Sequence, residues 1–137
     1  MRVGDSPGYV EAAYTLRAPL GAGTWGFVGD GILAGGDRIR MRFEARLRPQ
    51  GTLSGDDSRD VVIAQTESLF VRNTSQPFAA VPFRGQAAGQ AVSSQIGDLL
   101  VYRATVIGGD AGTMYILNGD GQKTGGTIPR LDLPPAP

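Results

Sequence analysis

A chain of 137 residues is long enough to bury one core, and its 13 basic and 13 acidic side chains cancel. No net field therefore draws it to nucleic acid or to a membrane surface. It has no cysteine and no histidine, which excludes disulfides, thiol nucleophiles, thiolate metal sites and all chemistry built on imidazole.

Met1 to Gly8 carries Arg2 but no apolar run behind it, whereas a secretory signal needs about 7–15 apolar residues there. No stretch approaches the roughly 18 consecutive apolar residues of a membrane helix. Neither a signal peptide nor membrane insertion is expected in the chain as given. Gly-Asp pairs recur at Gly4-Asp5, Gly29-Asp30, Gly36-Asp37, Gly55-Asp56, Gly97-Asp98, Gly109-Asp110 and Gly119-Asp120. Each reads as a turn, because glycine takes positive φ cheaply and aspartate bonds its own backbone. Turns this dense leave room for short strands and little room for helices.

The first strand is predicted over 9–17, with Val10, Ala12, Tyr14 and Leu16 as its buried set. The next, 24–33, holds Trp25, Phe27 and Val28 but is interrupted by Gly26, Gly29 and Gly31. That pattern marks a bulge or a close approach of another chain segment. The clearest strand spans 37–48, where Ile39, Met41, Phe43, Ala45 and Leu47 alternate with Arg38, Arg40, Arg42, Glu44, Arg46 and Arg48. A period of two decides for strand over helix, and Pro49 ends it.

Residues 60–72 begin and end apolar around Gln65-Thr66-Glu67-Ser68, so the buried face is expected to switch in that middle. Phe78, Val81 and Phe83 ask for core positions, while Pro77 and Pro82 argue against a central strand. The small, polar stretch 85–95 reads as a loop or a flat edge strand. A strand over 98–107 faces Leu100, Tyr102, Ala104 and Val106 inward, with 113–118 as its hairpin partner across 108–112. The total is about eight strands. This predicts an all-β fold, an antiparallel, jelly-roll-like β-sandwich, with a closed β-barrel as the alternative. Residues 1–126 form the sandwich domain. Residues 127–137 form a Pro-rich C-terminal arm whose four prolines favour polyproline II.

The arginines of 38–48 are the sharpest chemical feature. Their spacing of about 6.5–7 Å along one strand face approximates that of phosphates. Lys123 is the only lysine, however, and Asp56, Asp57 and Asp60 supply matching acid. A solvated face or subunit contact is expected rather than nucleic acid. The aspartate turns, chiefly Asp56-Asp57 and Asn118-Gly119-Asp120-Gly121, lack the alternating oxygens of a calcium loop, so no metal is expected. Catalysis would need a carboxylate pair or a tyrosine-arginine cavity, since no Gly-x-Ser-x-Gly elbow is present. The segment Ala104-Thr105-Val106-Ile107-Gly108-Gly109-Asp110-Ala111-Gly112-Thr113-Met114-Tyr115 resembles the glycine-rich hairpin of the allene-oxide-cyclase and dirigent barrels. It departs at Asp110, where that hairpin keeps a threonine. The resemblance implies a barrel enzyme with an apolar cavity. Tyr9, Tyr14, Tyr102, Tyr115 and Trp25 would suffice for a sugar platform, but Trp25 beside Phe27 reads as core.

These features lead to an expectation of a non-enzymatic structural protein of a repeating assembly, such as a virion capsid-decoration or tail component. It would bind identical subunits or a host protein lattice, without cofactor, metal or nucleic acid, in a virion or other extracellular assembly. Arg38, Arg40, Arg42, Arg46 and Arg48 would make the polar contacts. Ile128, Leu131 and Leu133 would anchor the arm. An extracellular glycan- or partner-binding module is the alternative, and it predicts an exposed aromatic beside polar loop residues and a tail folded on its own domain. A barrel enzyme predicts a deep apolar cavity holding a carboxylate or tyrosine.

Overall fold

A computed structural model describes residues 8–34, 37–72, 81–109, 113–116 and 130–135. They form eight strands: β1 (Tyr9–Thr15), β2 (Thr24–Ala34), β3 (Arg38–Arg48), β4 (Val61–Val71), β5 (Val81–Ala88), β6 (Leu99–Gly109), β7 (Thr113–Ile116) and β8 (Arg130–Asp132). One antiparallel sheet has the order β1-β6-β3-β4. The other places β5 on one flank of β2, and β7 and β8 on its other flank. The fold is an all-β sandwich of two antiparallel sheets, and the barrel alternative is not realised. The chain changes sheet between β1 and β2 and again between β2 and β3, while β3 and β4 form a hairpin.

Alternation in β3 places Ile39, Met41, Phe43, Ala45 and Leu47 in the core, each no more than 5% exposed. Phe43 stacks on Phe83 of the facing sheet at 4.2 Å between ring centroids. Phe70 meets both rings edge-on, and Tyr102 meets Phe27 and Phe43 in the same way. Such offset and T-shaped pairs suit the ring quadrupole and fix the spacing of the layers.

The glycines of β2 mark close approach and not a bulge, since its registers run without a break. A Cβ on Gly29 would lie 2.6 Å from the Phe83 ring, which occupies that space. Gly29-Asp30 is therefore not a turn but the middle of a strand.

Three other expectations are corrected. Strand β7 is not the hairpin partner of β6, because β1 and β3 already occupy both flanks of β6. It crosses instead to β2, and so the resemblance to a barrel hairpin does not hold. The switch of buried face in β4 comes at Ile63 and Ala64, both buried, and not in 65–68. An irregularity between Ala45 and Arg46 leaves Ile63 as the extra residue of a β-bulge. Val10 and Tyr14 are 46% and 51% exposed, not buried.

The position of β1 explains that last difference. Val10, Ala12 and Tyr14 stand opposite Ala104, Tyr102 and Leu100, on the core-facing side of the sheet. Strand β1 is the sheet's outermost strand, and the facing sheet leaves its inner face uncovered.

Candidate functional site

The outer face of the four-stranded sheet divides into two halves. Its lower half is covered by the β3–β4 connection, residues 49–60. Three tight turns build this loop, closed by Thr52 N–H to the Pro49 carbonyl, Asp56 N–H to that of Leu53 and Asp60 N–H to that of Asp57. Gly51 and Gly55 supply the positive φ that two of them need, at 80° and 81°. The loop folds back onto the sheet, and Val101, an outer-face residue opposite Arg46, is completely buried.

Ion pairs fasten the loop in place. Arg48 donates from Nε to Asp60 Oδ1 at 2.7 Å and from Nη2 to Oδ2 at 2.8 Å. Arg46 donates to the same carboxylate at 2.8 Å and to Glu44 at 2.9 Å. Glu11 of β1 accepts from Arg48 at 3.2 Å and from Arg103 at 2.9 Å, and Arg103 reaches Asp57 at 3.1 Å. The Arg103 guanidinium also lies 3.9 Å from the centre of the Tyr9 ring, a cation–π contact. Burial pushes the Asp60 carboxyl up, but the hydrogen bonds from Arg48 and Arg46 outweigh it and hold it below the usual carboxylate range. The hydrogen bond to Asp60 raises Arg48 against the opposing effect of desolvation, so it stays charged.

Only part of the arginine stripe is therefore free for contact. Arg46 and Arg48 are committed to their own fold. Arg42 is half-buried, 3.8 Å from Glu67. Arg38 and Arg40 are exposed on the upper half, beside the exposed Leu69 and Val71.

The proposed anchors lie elsewhere. Leu131 sits on β8, opposite Phe27 and packed against the core. Leu133 is 49% exposed. Ile128 lies outside the described residues. The stripe and the tail are thus on different sheets and do not form one surface. The described part of the tail lies along β2 of its own domain, and Pro134 is buried close to Gly23.

A groove of about 530 Å³ runs between the end of β1 and this tail. Tyr14, Leu16, Leu20, Leu100, Leu131 and Leu133 give it an apolar lining, and Arg17 and Arg130 contribute to its walls. Among the described residues no carboxylate lines it. Asp56 accepts from the Ser58 backbone and hydroxyl, and Asp57 is paired with Arg103. Asn118 to Gly121 lie outside the described residues. Among the described residues the buried Tyr102 hydroxyl has no hydrogen-bond partner, and desolvation raises its ionisation above the ordinary range. The Tyr102 ring packs edge-on against Phe27 and Phe43, and Tyr102 does not line the groove.

Sequence reasoning missed β1 as a surface because Val10, Ala12 and Tyr14 alternate as buried residues do. The available signal was weak: two alanines in seven residues leave little apolar area for a core. Comparison with known proteins finds no matching family model, no matching curated protein and no matching solved structure.

Proposed function

We propose that this chain is a non-enzymatic structural subunit of a repeating assembly, such as a virion decoration or tail component, acting by adhesion. The observation that carries this reading is the contrast among the sheet edges. Exposed strand edges invite pairing, and isolated domains usually guard theirs with bulges, prolines, short strands or covering segments. Strand β4 has its bulge at Ile63, and Gln90 caps the edge there, donating from N–H to the Ile63 carbonyl and from Nε2 to that of Val62. Strand β5 contains Pro82, and β7 and β8 are four and three residues long. Among the described residues, β1 alone is a regular edge of seven residues without proline or bulge. The upper outer face, with Arg38, Arg40, Leu69 and Val71, offers a second contact suited to an acidic protein surface.

Sedimentation velocity and electron microscopy over rising concentration test this directly. Reversible growth into periodic particles is expected. A chain that remains monomeric up to near-millimolar concentration overturns the assembly reading.

One observation favours a binding module instead. Tyr14 is half-exposed beside Arg17, and the tail lies on its own domain. Specific retention on a glycan array, lost on Tyr14→Ala, supports that reading.

A further inference from the structure

We propose that β1 pairs with β1 of a second copy, antiparallel about a two-fold axis at Ala12, joining two four-stranded sheets into one. This rests on the adhesive reading above and names its partner. Val106 N–H donates to the Gly8 carbonyl and Leu16 N–H to the Asp98 carbonyl, at 2.9 and 2.8 Å. In the unbroken register with β6, these bonds fix the even-numbered residues of β1 as those bonded inward. The N–H and C=O groups of Tyr9, Glu11, Ala13 and Thr15 consequently point away from the sheet.

That alternation restricts the registers a second copy can take. Symmetric pairing must set odd residues against odd ones, so that the outward groups bond each other. Centring on Ala12 pairs Tyr9 with Thr15 and Glu11 with Ala13, and it uses all seven residues. On the inner face it sets Val10 against Tyr14 at both ends, an aromatic–β-branched pair. Centring on Glu11 opposes two like charges, which is unfavourable. Centring on Ala13 shortens the overlap to 11–15. The charge of Glu11 is already balanced by Arg48 and Arg103, so closing this edge strands no lone ion. The uncovered Val10, Ala12 and Tyr14 of both copies would then form one apolar strip.

The native chain has no cysteine, so single-cysteine variants report contact between copies alone. At the axis, Ala12 and its mate form a non-hydrogen-bonded pair with Cα atoms about 4.5 Å apart, within disulfide reach. Ala12→Cys is expected to form a covalent dimer under mild oxidant. Ala13→Cys should cross-link roughly tenfold more slowly, because disulfides accept only a narrow range of Cβ separations. Ala13→Pro removes an outward N–H without touching a bond to β6, so it should abolish non-covalent pairing in a folded protein, checked by circular dichroism. Ala12→Lys and Ala12→Glu should each fail to pair alone and pair when mixed.

If Ala12→Cys stays monomeric, the edge is occupied by something else, such as another segment of the same chain, and self-pairing is overturned. If Ala13→Cys cross-links faster, the register is overturned. Larger assemblies without an Ala12 cross-link remove this inference while leaving the adhesive reading. A cross-linked pair that never grows further does the reverse.

Discussion

Arg48 and Asp60 meet side-on, with two parallel hydrogen bonds of 2.7 and 2.8 Å between guanidinium and carboxylate. The Asp60 side chain is fully buried and that of Arg48 is 7% exposed, so neither can turn to water if the other is lost. Removing one partner of such a pair costs about 3–5 kcal/mol. Asp60→Asn is expected to lower unfolding free energy by about 3 kcal/mol, measured by urea denaturation. A change within about 0.5 kcal/mol, the usual range for surface substitutions, would mean that the loop is not held by this carboxylate.

The same group sets an acid limit on stability. The folded Asp60 carboxyl lies below its ordinary value, so the unfolded chain binds the proton more readily. Its contribution is complete above the unfolded carboxylate value near about 4. It is lost as pH falls through the lower folded value. Urea midpoints should therefore drop on acidification, with a shallower drop in Asp60→Asn. Equal slopes in both proteins would assign the acid sensitivity to other groups.

The arginine stripe should divide in two. Arg38→Ala and Arg40→Ala, at exposed positions, are expected to change stability by less than about 0.5 kcal/mol. Arg46→Ala and Arg48→Ala should cost several times more, since each removes one of the two guanidiniums that neutralise the buried Asp60 carboxylate. Thermal unfolding of the four variants checks this, and similar losses at all four would contradict the division.

A packing test is available at Gly89. A Cβ there would lie 2.5 Å from the Trp25 indole, at Cδ1 and Nε1. Gly89→Ala must displace that ring or the chain beside it, at a cost of about 1–3 kcal/mol. Trp25 is the only tryptophan, so a red-shifted emission with a lowered melting temperature is the expected readout. Unchanged emission would show that the loop yields and the ring stays.

Deleting residues 130–137 removes β8 from the flank of β2 and uncovers the edge of Phe27. Loss of a half-buried leucine and its backbone bonds should cost about 2 kcal/mol. The midpoint of urea unfolding measures it. A truncated domain as stable as the full chain would make the tail a true arm.

Much of the fold was legible because β3 satisfies its pattern on both faces. Its apolar residues fill the core and its lower arginines meet acids from β1, β3 and the loop. The hairpin predicted for β6 failed for a reason outside its own sequence. Local turn chemistry cannot show that β1 and β3 already hold both flanks of β6. The surface at β1 was hidden similarly, because alternation reveals which side faces inward but not whether anything lies opposite. The ion cluster was half visible: the arginines stood out, but Glu11 and Arg103 are brought to them only by strand order.

The bulge at Ile63 limits how far association along this sheet can go. A ribbon with two welcoming margins adds copies without end and becomes a fibre. Here one margin is kinked at Ile63 and capped at Val62 and Ile63 by Gln90, so under the proposed pairing lateral growth would halt after a single partner, and a larger array would have to be knitted through the faces.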